Sequence, residues 1–129
     1  MARPSSSQPT EVELQILRIL WELGPSPVRE IHRRLEAAKG TTYSTTVKML
    51  AVMLDKQLVT RDETAQPHVY RAAMTRQRAS KRILGDLIEK LYDGSAASLV
   101  LQALSTSKAT QEERDAIREL LNRMEDQGS

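Results

Sequence analysis

The stretch Gly40–Arg71, GTTYSTTVKMLAVMLDKQLVTRDETAQPHVYR, changes its hydrophobic period midway, and that change decides the fold. From Ser44 to about Lys56, Val47, Leu50, Ala51 and Leu54 recur at helical spacing, which predicts a helix of roughly 20 Å with those four facing inward. Ser44, Thr45, Lys48 and Thr46 fall on or near its other side, toward the N-terminal end. Leu58-Val59-Thr60-Arg61 and His68-Val69-Tyr70-Arg71 are short and rich in β-branched or aromatic residues, and the turn-forming run Asp62 to Pro67 separates them. That pair predicts a β-hairpin.

Upstream, Thr10 and Glu13 form a capping box before an apolar series. Leu14, Leu17, Leu20 and Trp21 share one stripe there, widened by Ile16 and Ile19, and Gly24-Pro25 ends the helix. Ser26 before Pro27 reads as a hydroxyl cap with proline at the first helical position. The helix it opens reaches about Ala38, with Val28, Ile31 and Leu35 inward and Arg29, Arg33 and Arg34 outward. Gly40 and the two threonines after it make a short turn. Three helices followed by a hairpin is the element order of a winged helix. The lead-in, residues 1–9, is Ser/Pro-rich and is expected to lack order.

Downstream of Thr75 the period is helical again. Ile83, Leu84, Leu87, Ile88 and Leu91 form one stripe ending at Asp93-Gly94, and a short apolar helix spans Ser98 to Leu104. After the hydroxyl-rich Ser105–Ser107, a second capping box, Thr110 with Glu113, precedes Ile117, Leu120, Leu121 and Met124. The expected fold is mainly α with a small β-hairpin wing: a winged helix-turn-helix domain over residues 10–74 and a C-terminal helical dimerisation domain over residues 75–129. Three helices of that size cannot close a core alone, so their stripes must pack on the first domain or on a second copy. A homodimer is the favoured solution, built on Leu84, Leu87, Ile88, Leu91, Leu99, Val100, Leu104, Ile117, Leu120, Leu121 and Met124.

Composition narrows the chemistry. With 129 residues there is room for one ordinary domain or a small domain with an appendage. The chain has no cysteine, which excludes disulfides, thiolate metal sites and a cysteine nucleophile. No apolar run is long enough to span a bilayer, so a cytoplasmic location without membrane insertion is expected. The net charge of +2 conceals a gradient. Residues 1–26 carry −1, residues 27–82 carry +7 from twelve basic and five acidic side chains, and residues 83–129 carry −4. A basic middle of this kind suits an anionic partner, although solvated charge on helix faces is the plainer account.

The site expected to meet that partner is the N-terminal end of the third helix. Tyr43, Ser44, Thr45, Thr46 and Lys48 are assigned to a DNA groove, where short hydroxyls and helix N-terminal N–H groups suit phosphate and base edges. Arg29, together with Arg61 and Arg71 of the hairpin, is assigned to the DNA backbone. Ser44 and the threonines also serve as helix caps on the plainer reading. His32 and His68 stand 36 positions apart without a partner at ligand spacing, so no metal or cofactor is expected, and His32 reads as a helix-surface residue. Trp21 reads as core. No glycine-rich phosphate loop, GxSxG or HExxH is present, so an enzyme is not expected. A protein-docking winged helix and a direct ligand or metal sensor remain as alternative functions.

Three stretches, PTEVELQILRILWELGPSPVREIHRRL, TTYSTTVKMLAVMLDKQLVTR and LYDGSAASLVLQAL, resemble the BlaI/MecI/CopY penicillinase-repressor family of bacteria, over about Pro9 to Met124. The resemblance implies a homodimeric transcriptional repressor in which a winged helix binds a palindromic operator in double-stranded DNA and C-terminal helices interlock. For antibiotic-responsive members it also implies control of β-lactam-resistance genes and inactivation by proteolysis downstream of a membrane sensor protease. Those members carry an Asn-Phe cleavage pair where this chain has Gln102-Ala103, a departure at the family's cleavage position. The cysteine-rich tail of the copper-responsive members has no counterpart here. Met49 and Met53 stand in the recognition helix where the family often shows Thr and Arg, so an operator sequence does not transfer.

Overall fold

A computed structural model describes residues 8–128. The expected disorder of residues 1–9 falls, but for Gln8 and Pro9, outside them. In chain order the elements are α1 (Glu11–Leu23), β1 (Ser26–Pro27), α2 (Val28–Lys39), α3 (Tyr43–Asp55), β2 (Val59–Asp62), β3 (Val69–Ala72), α4 (Arg76–Leu91), α5 (Ala96–Thr106) and α6 (Gln111–Gly128). The fold is a winged helix-turn-helix followed by a helical C-terminal region. Contacts divide the chain at Leu84, within α4, whereas the sequence places the domain division at Met74. Ala79, 2% exposed, belongs to the buried set of the first unit and explains the added residues.

The first unit closes around Ile16, Leu17 and Leu20 of α1, Ile31 and Leu35 of α2, Leu50 and Met53 of α3, and Leu58, Val59 and Tyr70 of the sheet. Each such side chain contributes about 1.5–3 kcal/mol of burial. Trp21 packs against this core and its Nε1 donates to the Met74 carbonyl at 2.9 Å, tying α1 to the chain leaving the wing.

The capping box of α1 forms, and Glu13 does more than cap. Its carboxylate, buried to 1% exposure, accepts from the Thr10 N–H and from Lys56 Nζ, both at 2.9 Å. A buried carboxylate needs such partners to offset its desolvation. Lys56 is therefore drawn into the interior rather than standing among the free basic residues.

The Ser26-Pro27 signal works differently from the expectation. Ser26 Oγ donates to the Gly24 carbonyl instead of capping α2, whose N-cap is Pro27 without any side-chain bond. The dipeptide pairs with β3 (Ser26 opposite Tyr70, Pro27 opposite Val69), so the hairpin becomes a three-stranded antiparallel sheet of order β1-β3-β2.

In the second unit, α5 and α6 hold no buried residue. The Thr110–Glu113 box opens α6, with the Thr110 N–H donating to Glu113 at 2.8 Å and the Glu113 N–H to Thr110 Oγ1 at 3.1 Å. Hydrogen bonds from Thr110 hold the Glu113 carboxyl below its ordinary value. Within the hydroxyl-rich stretch, Ser105 and Thr106 complete α5, turning their hydroxyls back onto the Leu101 and Gln102 carbonyls.

Candidate nucleic-acid interface

The turn between α2 and α3 fixes the candidate site. Gly40 takes a left-handed conformation (φ 66°) and its N–H donates to the Glu36 carbonyl, closing α2 in a geometry that a side chain would strain. Thr42, not Ser44, caps α3: its Oγ1 accepts from the Thr45 N–H at 3.3 Å and donates to Thr45 Oγ1 at 2.9 Å. The Thr45 N–H and hydroxyl are thus already engaged locally. The sequence reading missed Thr42 because two adjacent threonines offer two equivalent caps.

Thr46 does not belong to the outer face. It is fully buried, its Oγ1 donating to the Thr42 carbonyl at 3.3 Å and hydrogen-bonding His32 Nδ1 at 2.9 Å. That burial removes it from the set able to meet DNA. His32 correspondingly is no surface residue. Its side chain is 14% exposed, its Nε2 lies 3.4 Å from Glu36, and its ring meets Tyr43 edge-on with centroids 5.3 Å apart. One imidazole therefore joins α2 to the buried and the exposed side of the first turn of α3.

The inner face of α3 is Thr46, Leu50 and Met53, with Met49 and Leu54 partly buried. Val47 and Ala51, expected inside, lie outside, and Met53, where the family often shows another residue, lies inside. The inward face is turned toward Thr46 because its hydroxyl is held by His32 of α2. Its exposed face carries Tyr43, Ser44, Thr45, Val47, Lys48, Ala51, Val52 and Asp55.

The wing separates the two hairpin arginines. Arg61 stands opposite Tyr70, and Arg71 opposite Thr60, so the two side chains leave opposite faces of the sheet. Arg61 Nε donates to Glu63 Oε1 at 3.1 Å, and its Nη2 donates to the same oxygen. Hydrogen bonding to Tyr70 and then Glu63 raises its pKa from an already high value. Arg71 shares the outer face with Asp62. Hydrogen bonds from the Thr64 hydroxyl, then the Thr64 N–H, and the charge of Arg71 hold the Asp62 carboxyl below its ordinary value.

Ion pairs sort the remaining cations. Within residues 27–82, Arg33, Arg34, Lys39, Lys56 and Arg61 pair with Glu30, Glu22, Glu11, Glu13 and Glu63. The other seven, Arg29, Lys48, Arg71, Arg76, Arg78, Lys81 and Arg82, make no ion pair within 4.0 Å among the described residues, and the first three are those expected to meet DNA. Arg29 lines a cleft of about 670 Å³ with Tyr43, Gln66, Pro67, His68 and Tyr70, between the start of α2, the start of α3 and the wing. Of the predicted site residues, then, Tyr43, Ser44, Thr45, Lys48 and Arg29 lie on exposed surface around α3, while Arg71 stands on the outer wing face. Arg61 is occupied, and Thr46 is interior.

No group of three or more His, Cys, Asp or Glu side chains among the described residues is arranged to hold a metal ion. No helix among them is long and apolar enough to cross a membrane.

A family model described as penicillinase repressor matches residues 9–123, almost the whole described chain. The chain belongs to the penicillinase repressor family. That family is one of transcriptional repressors, and the winged helix with its helical C-terminal region conforms to it. No curated protein matches the chain.

The apolar stripes read as a dimer surface are largely open to solvent in the single chain. Leu84, Leu87, Leu91, Val100, Leu104, Leu120, Leu121 and Met124 are all exposed, and Leu91 reaches 65%. Ile88, Leu99 and Ile117 are half-buried. Leu101, outside the expected set, is 67% exposed and lies on the same side of α5 as Leu104, three residues on. The Gln102-Ala103 pair of the family's cleavage position lies within α5, where Thr106 Oγ1 donates to both carbonyls at 3.0 and 3.3 Å. A protease that takes extended chain would have to unwind that turn.

Proposed function

We propose that this penicillinase repressor family member is a cytoplasmic homodimer that binds a palindromic operator and blocks transcription from the promoter containing it. The observation that carries the reading is the exposed face of α3, where Lys48 lies without an ion pair beside Ser44 and Thr45. Unpaired Arg29 and Arg71 on the neighbouring elements add to it. An α-helix laid into the major groove reads bases with its N-terminal residues while surrounding cations hold phosphates. Two copies related by a two-fold axis would place two such helices about 34 Å apart along the duplex.

The homodimer rests on the exposed leucines of α4 to α6. Left in water they forfeit a large part of the helical region's burial, and a second copy of the same surface would cover them. Penicillinase, the target that the family's description names, makes β-lactam-resistance promoters the first DNA to try, with stress-response promoters next.

Footprinting on DNA upstream of the gene tests the reading. The expected result is two protected patches one helical turn apart, lost when Lys48 is replaced by Ala. A chain that protects no DNA, while holding another protein through the same surface, would establish the docking-module alternative instead.

A further inference from the structure

The exposed face of α3 is chemically unusual for a helix assigned to base reading. Its sequence, YSTTVKMLAVMLD, contains no Arg, Asn, Gln or His. Those are the side chains that read guanine or adenine through paired hydrogen bonds, and Lys48 is the only cation on the helix. Three apolar residues take the vacant places. Val47 and Val52 are 41% and 46% exposed, and Ala51 is exposed beside them, although α3 has a buried face that could have taken such residues.

Their positions are orderly. Ser44, Lys48, Ala51 and Asp55 follow at i, i+4, i+7 and i+11, forming the ridge of the outer face, and Val47 (i+3) and Val52 (i+8) flank that ridge on its two sides. The occupant that suits this apolar strip is also a polyanion, because Lys48 lies on the ridge and Arg29, which makes no ion pair, lines the cleft that Tyr43 at the start of α3 also lines. Asp55, the one carboxylate on α3, lies at the far end of the helix, away from the N-terminal turns that enter a groove. A surface both apolar and cationic fits the major groove of duplex DNA where thymines line it. There the C5-methyl is the one apolar group on a base edge.

We infer that the half-site is specified chiefly by thymine methyl groups received by Val47 and Val52, with Lys48 as the one side chain of α3 suited to the O6/N7 acceptor pair of a neighbouring guanine. The inference rests on α3 being the groove-facing helix. Guanine-rich half-sites without thymine would offer Lys48 one acceptor pair and leave both valines against polar base edges.

Selection of bound duplexes from a random pool, followed by replacement of thymine with uracil one position at a time, tests it. Uracil pairs as thymine does and lacks only the methyl. Thymine should be enriched in each half-site, and uracil at one or two of those positions should weaken binding by the full-length protein roughly four-fold per methyl. In Val47→Ala or Val52→Ala the thymine-to-uracil ratio at the matching position should fall toward one, with the dependence of affinity on salt unchanged. Both side chains are exposed, so thermal melting of each variant should match the parent. Selected sites that tolerate uracil everywhere, or undiminished discrimination in both variants, would overturn the inference while leaving DNA binding intact. A pool from which the parent protein retains no duplex in a salt-dependent manner would remove the groove reading itself.

Discussion

Thr46→Val separates a structural role for this residue from the DNA contact that its place in the sequence suggests. Valine has nearly the same shape, so the change deletes one hydroxyl and two hydrogen bonds, to His32 Nδ1 at 2.9 Å and to the Thr42 carbonyl at 3.3 Å. The Thr42 carbonyl keeps the Thr46 N–H at 3.1 Å, so it is not orphaned. His32 is: at 14% side-chain exposure its ring has little access to water, and an unsatisfied polar atom there costs about 1–3 kcal/mol. The valine methyl recovers part of this, for a net loss of about 1–2 kcal/mol. At a urea dependence of about 1–3 kcal/mol per molar, the unfolding midpoint should fall by roughly 0.5–1 M. Protein concentration must be held fixed, because a dimer's stability depends on it. The decisive assay is a double-mutant cycle with His32→Ala. The two losses should overlap by about 1 kcal/mol, since either change breaks the same bond. Losses that add to within roughly 0.3 kcal/mol, or a Thr46→Val protein of unchanged stability and weakened DNA affinity, would refute the buried-link account.

Three further outcomes are expected. Gln57 holds φ 64° just past α3, with Gln57 N–H on the Leu54 carbonyl and Leu58 N–H on that of Met53; this is a helix-ending motif that favours glycine. Gln57→Gly should raise stability by about 0.5–1 kcal/mol in chemical denaturation, the relieved strain exceeding the added freedom of the unfolded chain. The Glu113 carboxyl is held below its ordinary value, so its contribution is complete above that value and is lost as pH falls through the lowered one. Amide signals of Thr110 and Glu113 should therefore shift together at a pH below the ordinary carboxylate range, and Thr110→Ala should return the transition to that range. Leu91→Asp and Leu120→Asp each put a carboxylate on a stripe proposed to be covered by a second copy. Sedimentation should show both variants shifted toward monomer, whereas an undisturbed dimer in both would remove that interface.

What the sequence made legible was local. Both capping boxes, the Gly24 stop of α1 and the change of period at Leu58 are short-range signals, and each appears where expected. Two residues of β1 have no period to read, and their pairing with β3 depends on a strand more than forty positions away. The face of α3 was misassigned for a related reason. Val47 looks like a core residue and Thr46 like a surface one until His32, fourteen positions earlier, is seen to bury the hydroxyl. Charge was overcounted where pairing is distant: Lys56 meets Glu13 across 43 positions. The two hairpin arginines look alike in the sequence. Only the register of β2 against β3 sends them to opposite faces.

The dependence of DNA affinity on salt measures the central claim most directly. Arg29, Lys48 and Arg71 from each of two subunits offer six cations to phosphate or base edges. With Lys48 on a base edge and Arg29 and Arg71 on phosphate, log affinity should fall against log salt with a slope of about −3.6, and replacing either arginine by Ala should flatten it by about two contacts per dimer. Fluorescence anisotropy with labelled upstream duplex supplies the measurement. A flat line for the parent protein, or an Arg29→Ala, Lys48→Ala, Arg71→Ala triple variant with the parent's slope, would contradict the account.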